Sequence, residues 1–166
     1  SMVSNKDKTD IFLGAANLLE TKYYDKMLAY TIAGQNKNVY EAEIDAICEL
    51  SDFLRFNVNY FNLIQQKQPL SAPFADNYSE YNPLNGFVAS ITPFNFTAIG
   101  GNLASAPLLF GNTVLWKPSD NAILSNYLFY QIMLEAGLPK GVLNFCPQHP
   151  QVFFDTINER NDLGAI

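Results

Sequence analysis

Residues 86–101 have the sequence GFVASITPFNFTAIGG, and this stretch decides the fold of the chain. Its apolar beginning, residues 86–91, predicts a short buried strand. Pro93 then turns the chain into a predicted helix from Thr97 to Leu109, which Pro107 should kink or end. A strand that leads directly into a helix begins an alternation that continues to the last residue.

Three further strand-like segments follow the first one. Residues 113–116 and 142–146 are short and apolar, and residues 163–166 begin a fourth strand. Apolar residues recur every three or four positions between Ile123 and Leu134, which predicts a helix, and residues 151–158 predict a shorter one. Strands that alternate with helices at this spacing predict a parallel, doubly wound α/β sheet. Such sheets bind ligands at the carboxyl ends of their strands.

The N-terminal part of the chain predicts helices only. Residues 10–33 have helical periodicity and end at Gly34 and Asn36. Asn38 and Glu41 have the spacing of a capping box and begin a second helix that runs to about residue 65. We expect the apolar stripe of that helix to be Ile44, Ile47, Leu50, Leu54, Val58 and Phe61.

The segment between the two parts is rich in turn-forming residues, among them Pro69, Pro73 and Pro83. We therefore divide the chain into three pieces. Residues 1–65 are an N-terminal helical segment, residues 66–85 are a connector, and residues 86–166 are part of an α/β domain.

Composition excludes several classes of function. The formal charge of −6 and the scattered basic residues argue against nucleic-acid binding. Cys48, Cys146 and His149 do not have the spacing of a metal site, and two cysteines are too few for a disulfide framework. No apolar run is long enough for a membrane helix. We expect no nucleic acid, metal or membrane partner.

Asn95 is the first candidate for chemistry, because it follows the strand that ends at Ile91. Pro93 fixes one backbone angle before it, so that its amide is aimed into a cleft where it would stabilise a developing oxyanion. The alternative is that Asn95 only caps the following helix. On residue type alone, the capping role is the commoner one.

Lys117 is the second candidate, because it ends the next strand and is followed by Pro118, Ser119 and Asp120. A cation beside a helix N-terminus favours an anionic or polyhydroxylated ligand. The alternative is a solvated lysine beside an ordinary helix cap, which is the commoner case for this pattern.

Taken together, the two motifs resemble the aldehyde dehydrogenase superfamily. They are 22 residues apart, and the chain is most similar to the branch that oxidises L-glutamate γ-semialdehyde (Δ1-pyrroline-5-carboxylate). The matching runs are residues 42–46, 52–57, 94–104 and 115–120. The resemblance implies N-terminal helices followed by an incomplete Rossmann-like parallel sheet, the NAD-binding domain of this family.

The resemblance also implies a role for each matching residue. Asn95 corresponds to the amide of the oxyanion hole, and Lys117 to the lysine that binds the adenosine ribose of NAD. Asp120 corresponds to an acidic residue near that ribose, and Thr92 to a hydroxyl residue near the nicotinamide half. Glu49 and Phe96 correspond to residues of the substrate pocket.

The family's catalytic cysteine and glutamate base come later in the sequence than Ile166, so the resemblance implies an N-terminal part without the nucleophile. We expect Cys48 and Cys146 to be inert core thiols. The parent protein is expected to be an NAD-dependent oxidoreductase of proline breakdown, whereas this chain alone is expected to be inactive.

Three alternatives stay open at this point. In the first, the substrate is another semialdehyde or a fatty aldehyde. In the second, the chain is a non-catalytic form that binds coenzyme weakly or pairs with full-length subunits. In the third, it is a bare structural fragment. The resemblance implies a mitochondrial-matrix location in a eukaryote and a cytoplasmic one otherwise. It also implies that full-length members form homo-oligomers.

Overall fold

The computed structural model describes residues 4–166 as seven α-helices and four strands. A π-helical segment precedes α4, and a short 3-10 turn precedes α6. In chain order the elements are α1 Asn5–Glu20, α2 Tyr24–Gln35, α3 Val39–Glu43, the π segment Ile44–Glu49, α4 Leu50–Gln66, β1 Phe87–Ile91, α5 Thr97–Leu109, β2 Thr113–Lys117, the 3-10 turn Asp120–Ala122, α6 Ile123–Glu135, β3 Leu143–Phe145, α7 Pro150–Asn158 and β4 Leu163–Ala165.

The four strands form one parallel sheet in the order β3-β2-β1-β4. β1 therefore lies between β2 and β4, and the helices cross over between strands as a doubly wound sheet requires. In the β1–β2 pair, Ile91 is opposite Lys117, so both strands end at the same level. The predicted fold class, helices followed by a partial Rossmann-like sheet, is confirmed.

The N-terminal helices differ in detail from the prediction. The single segment predicted for residues 10–33 is wrong, since α1 ends at Glu20 and α2 begins at Tyr24. Thr21 ends α1, since its φ of −116° and ψ of −81° depart from the helical conformation, and its hydroxyl bonds the carbonyl of Asn17. Asn36, with φ of 53°, ends α2 in the left-handed conformation.

The second predicted helix is continuous but contains a π-helical turn. Asn38 forms the predicted capping box with Glu41. The expected stripe is buried except at Ile44, whose side chain is 64% exposed. An extra residue in the π turn changes which side chains face inward, so that Asp45 is buried in place of Ile44.

One hydrophobic core is shared by the N-terminal helices and the sheet. It joins α1, α2 and α4 to α5, α6 and β2, with Trp116 fully buried between Phe129 and Phe145. A smaller cluster lies on the other face of the sheet, where Phe153 and Ile157 of α7 pack against Ala89. The division into three pieces at residues 65 and 85 stays a prediction.

The connector is exposed throughout, from Gln66 to Gly86. Its local contacts are a backbone bridge between Ala72 and Ala75 and a few hydrogen bonds through side chains, such as that from the N–H of Ser79 to Gln68. At its end, Gly86 has φ of +95° and lies directly against the backbone of Asp162, the residue before β4. The carbonyl of Asp162 also accepts the N–H of Phe87 at 2.9 Å. Gly86 is therefore the point where β1 docks on the β4 segment.

Gly86→Ala should destabilise the chain more than Gly141→Ala. Both glycines have positive φ, so each substitution costs about 1–2 kcal/mol for the left-handed conformation. A Cβ at Gly141 has no neighbour within 4 Å, whereas one at Gly86 would lie 1.7 Å from the Asp162 carbonyl oxygen. We expect the free energy of unfolding, measured in urea, to fall by at least about 1 kcal/mol more for Gly86→Ala. Equal losses would contradict the docking role.

Candidate functional site

The residues predicted to bind ligand lie at the carboxyl ends of β1 and β2. Thr92 follows β1, and its backbone N–H donates to the carbonyl of Lys117 at 3.1 Å, which extends the strand pairing by one bond. The loop from Thr92 to Phe96 then leads into α5, and Pro118 leads from β2 toward the 3-10 turn. The parallel pairing therefore brings two distant stretches of sequence to one edge of the sheet.

Thr92 is fixed by the neighbouring strand. Its hydroxyl oxygen accepts a hydrogen bond from the indole Nε1 of Trp116 at 2.9 Å, and its side chain is buried. This bond uses the hydroxyl as an acceptor, so its own hydrogen remains available for another partner. Thr92 is thus a rigidly held donor at the floor of the site.

Lys117 is buried, with only 5% of its surface exposed. Its ammonium donates to the carbonyl of Pro118 at 2.8 Å and lies 4.0 Å from a carboxylate oxygen of Asp120. Asp120 is itself mostly solvent-exposed. The alternative of a solvated lysine is therefore wrong. A buried ammonium with one short hydrogen bond retains donors for a ligand.

An open cleft of about 390 Å³ lies between the two strand ends and the start of α7. It brings together three of the predicted residues, Thr92, Lys117 and Asp120. Asn95 lies on the same loop but does not line this cleft. The lining residues are Thr92, Pro93, Phe94, Lys117, Ser119, Asp120, Asn121 and Pro150.

Asn95 is exposed in the loop before α5. The alternative that it caps this helix is wrong, because the N-cap residue is Phe96 and no side chain of the loop caps the helix. Its amide makes no hydrogen bond within residues 4–166, so it remains available to a ligand.

The first amides of α5 are bonded instead by Asp45, a residue that sequence reasoning missed. The Asp45 carboxylate accepts the N–H of Thr97 at 2.9 Å and the N–H of Ala98 at 2.8 Å, and it pairs with the ammonium of Lys37. The one signal in the sequence was a carboxylate within the apolar stripe of a helix. Burying a carboxylate is costly unless it is paired.

At the start of α5, the hydroxyl group of Thr97 joins this helix to α2 and α6. It accepts from Gln35 of α2 at 2.7 Å and bonds Ser125 of α6 at 2.9 Å, with Thr31 at 3.2 Å. These buried groups fix the start of α5 against its neighbours.

The two residues predicted to line the substrate pocket lie beside Asp45. Phe96 is 37% exposed, and the ammonium of Lys37 lies 4.3 Å from the centre of its ring. Glu49 ends the π segment and is half-buried. Burial raises the pKa of the Glu49 carboxyl, and the negative charge of Asp45 raises it further, while Lys37 opposes the shift.

Neither cysteine lines the cleft. Cys146 is half-buried beside the end of β2, where its N–H bonds the carbonyl of Trp116 at 2.7 Å. Cys48 is exposed, so its prediction as a core thiol is wrong; it lies in the π turn, whose extra residue changes which side chains face inward.

Residues 4–166 lack both a metal-binding cluster and an apolar helix of membrane length. No group of three or more His, Cys, Asp or Glu side chains is arranged to hold a metal ion. No described helix is both long enough and apolar enough to cross a membrane.

The fold is a parallel α/β sheet with an open cleft at the carboxyl ends of its strands, where proteins of this class bind ligands. The profile of the aldehyde dehydrogenase family matches residues 1–166, and the chain belongs to this family.

Two of its relatives carry the name of one branch of this family. The chain is 51% identical over 161 residues to the mitochondrial Δ1-pyrroline-5-carboxylate dehydrogenase of Emericella nidulans, covering 96% of this chain and 28% of that protein. It is 50% identical over 160 residues to the human mitochondrial enzyme of the same name, with the same two coverages. The predicted resemblance is confirmed. The chain spans less than a third of the length of these relatives.

Solved structures agree with this placement. The NAD-bound Δ1-pyrroline-5-carboxylate dehydrogenase of Mycobacterium tuberculosis superposes with a TM-score of 0.95 and 46% identity, covering 97% of this chain and 30% of that one. The NAD-bound enzyme from Thermus superposes with a TM-score of 0.86 and 28% identity, covering 97% and 31%.

Glu49→Gln should stabilise the folded chain at pH 7 and lose this effect in acid. A carboxyl whose pKa is raised on folding contributes stability below its ordinary value of 4.5, and this contribution is lost as pH rises through the folded pKa. At pH 7 the ionised Glu49 therefore disfavours folding, and an amide does not. We expect a higher urea midpoint for Glu49→Gln at pH 7 and no difference at pH 4. Glu80→Gln in the exposed connector is the control for removing one negative charge. An equal effect of Glu80→Gln would show that the stabilisation does not come from the raised pKa of Glu49.

Proposed function

We propose that this chain is the coenzyme-binding front part of an NAD-dependent aldehyde dehydrogenase. The enzyme would oxidise L-glutamate γ-semialdehyde, the open form of Δ1-pyrroline-5-carboxylate, to L-glutamate. The observation that carries this proposal is the meeting of Thr92, Lys117 and Asp120 in one cleft at the carboxyl ends of β1 and β2. About half of the residues are shared with proteins that carry the name of this activity.

The residues of the cleft fit the ribose of a dinucleotide. Lys117 supplies buried N–H donors, and the exposed Asp120 carboxylate, 4.0 Å away, supplies acceptors. A neighbouring donor and acceptor match the two adjacent hydroxyls of a ribose. The same carboxylate repels a 2′-phosphate, so the cleft favours NAD over NADP.

The remaining assignments follow the loop outward from the cleft. Thr92, held by Trp116, would face the nicotinamide half of the coenzyme. Asn95 would donate its free amide to the oxyanion that forms when the aldehyde is attacked. Glu49 and Phe96 would line the substrate pocket. When bound, NAD supplies the acceptor for the hydride that leaves the substrate.

The covalent step of this reaction needs a thiolate nucleophile and a base. This chain spans less than a third of the length of its relatives, so we propose that both catalytic groups come from sequence outside this chain. Aldehyde oxidation is then a property of a longer protein. Within it, this chain would supply coenzyme contacts and one transition-state donor.

Location and assembly are proposed from the relatives. Those from eukaryotes are named as mitochondrial, so we propose a mitochondrial matrix location if the source is a eukaryote and a cytoplasmic one otherwise. Self-association of the complete enzyme is proposed from the exposed apolar side chains of the connector, where Leu70 is 92% and Phe74 is 99% exposed.

NAD should bind weakly to the isolated chain, and Lys117→Ala should abolish this binding. Removing a hydrogen bond from a charged donor costs about 1.5–3 kcal/mol, which is tenfold or more in Kd. The measurement is an NAD titration followed by the amide chemical shifts of Thr92 and Asp120. Lys140→Ala, an exposed lysine outside the cleft, is the matched control. If both variants bind NAD as the parent chain does, the coenzyme site is elsewhere.

Asn95→Ala and Lys117→Ala should affect different kinetic constants in the complete enzyme. Loss of an oxyanion donor lowers kcat by about 10²–10³-fold, and we expect the KM for NAD to be unchanged. Lys117→Ala should instead raise the KM for NAD with a small change in kcat. The assay is NADH formation from L-glutamate γ-semialdehyde, in parallel with other semialdehydes and a fatty aldehyde. The 166-residue chain alone should give no NADH. An Asn95→Ala enzyme with unchanged kcat would exclude the oxyanion role.

A further inference from the structure

Asp45 is a buried carboxylate that lies outside the coenzyme cleft. Only 2% of its side chain is exposed, and the neighbouring side chains of its helix, Ala46 and Ile47, belong to the hydrophobic core. Burying a carboxylate is costly unless its oxygens are bonded. Asp45 meets this condition with two backbone N–H donors of α5 and the ammonium of Lys37. All of its partners lie immediately beside the loop that carries Asn95.

This arrangement replaces ordinary helix capping. The N-cap residue Phe96 has no side chain able to accept the first N–H groups of α5. Asp45 of the π segment accepts two of them, from a position more than fifty residues earlier in the chain. The start of α5 is therefore fixed by a different helix rather than by its own loop.

Lys37 contacts both Asp45 and the residue that precedes α5. Its ammonium pairs with Asp45 and lies 4.3 Å from the centre of the Phe96 ring. Lys37 thus contacts the residue before α5, while Asp45 bonds the two residues that begin it. Lys37 contacts the ring of Phe96 and Asp45 bonds the N–H of the next residue, Thr97, while Asn95 directly precedes Phe96.

The π turn sets the geometry of the Asp45–Lys37 pair, which we call the clamp. An added residue in the helix accompanies the burial of Asp45 and the exposure of Ile44. Without that turn, the apolar stripe of the sequence predicts Ile44 facing inward. A costly irregularity that presents a charge to one specific loop is typical of a functional position.

We propose that Asp45 and Lys37 are positioning residues that set the orientation of the Asn95 amide. They act through the backbone of Thr97 and Ala98 and through the ring of Phe96, and they touch neither coenzyme nor substrate. The purpose of the positioning rests on the proposed function, since it concerns the oxyanion donor. The clamp itself is a property of this chain and is tested on it.

Asp45→Asn should loosen the loop without unfolding the chain. The substitution puts an NH2 donor where one carboxylate oxygen was, and this donor would face either the N–H of Ala98 or the N–H of Thr97 and the ammonium of Lys37. At least one of the hydrogen bonds to α5 is therefore lost. We expect the amides of Thr97 and Ala98 to exchange with deuterium about tenfold faster or more. Backbone order parameters from Asn95 to Ala98 should fall from about 0.85 toward about 0.6. Amides of β2 and α6 should be unchanged.

Two further variants keep the test decisive if Asp45→Asn does not fold. Lys37→Met leaves both Asp45–amide bonds in place but removes the contact with Phe96, so the order parameters of Asn95 and Phe96 alone should fall. Lys37→Arg retains the charge above the ring and should restore them. Glu20→Gln breaks the exposed Glu20–Arg55 pair between α1 and α4 and serves as the control for general loss of stability.

The positioning role would be refuted if Lys37→Met left the mobility of the loop unchanged, or if Asp45→Asn sped up exchange equally in β2, α6 and α5. NAD titration of the same variants separates this inference from the proposed function. Shifts at Lys117 that persist in Asp45→Asn leave the coenzyme site intact whatever the loop does. Absence of NAD binding in the parent chain would refute the proposed function and leave the clamp measurements valid.

Discussion

The bond between the Asp45 carboxylate and the first amides of α5 is the constraint on which the site depends. It joins a helix of the N-terminal layer to the strand–helix turn of the sheet. Each partner satisfies the other, since a buried carboxylate and two buried N–H groups would otherwise lack hydrogen bonds. The helical layer therefore determines where the loop after β1 lies.

The same bonds from Asp45 make the N-terminus of α5 unfavourable for binding an anion. A free helix N-terminus attracts phosphate, and α5 begins beside the candidate site. Asp45 already occupies that position, so the positive end of α5 is neutralised from within the protein. Lys117 on the neighbouring strand is a cation that is buried and only partly satisfied. The proposed coenzyme contacts thus depend on β2, and the proposed oxyanion donor depends on the loop after β1.

The sequence predicted the sheet well because each strand is a short apolar run and each connection contains a helix of regular period. The meeting of Thr92 with Lys117 followed from parallel pairing alone. The environment of each side chain could not be predicted this way. Lys117 had the pattern of a surface lysine, yet the strand end and the Pro118 carbonyl bury it. Asn95 had the pattern of a helix cap, yet a residue from another helix provides the cap.

The π turn explains most of the remaining differences. Its extra residue cannot be inferred from hydrophobic periodicity, which assumes one constant period. It exposed Ile44 and Cys48 and buried Asp45, against the predicted stripe.

A crystal structure of the chain grown with NAD would test whether the cleft between β1 and β2 binds the coenzyme ribose. We expect the ribose hydroxyls to lie within hydrogen-bond distance of Lys117 Nζ and Asp120. NAD bound elsewhere, with Lys117 still bonded only to Pro118, would show that this cleft is not the coenzyme site.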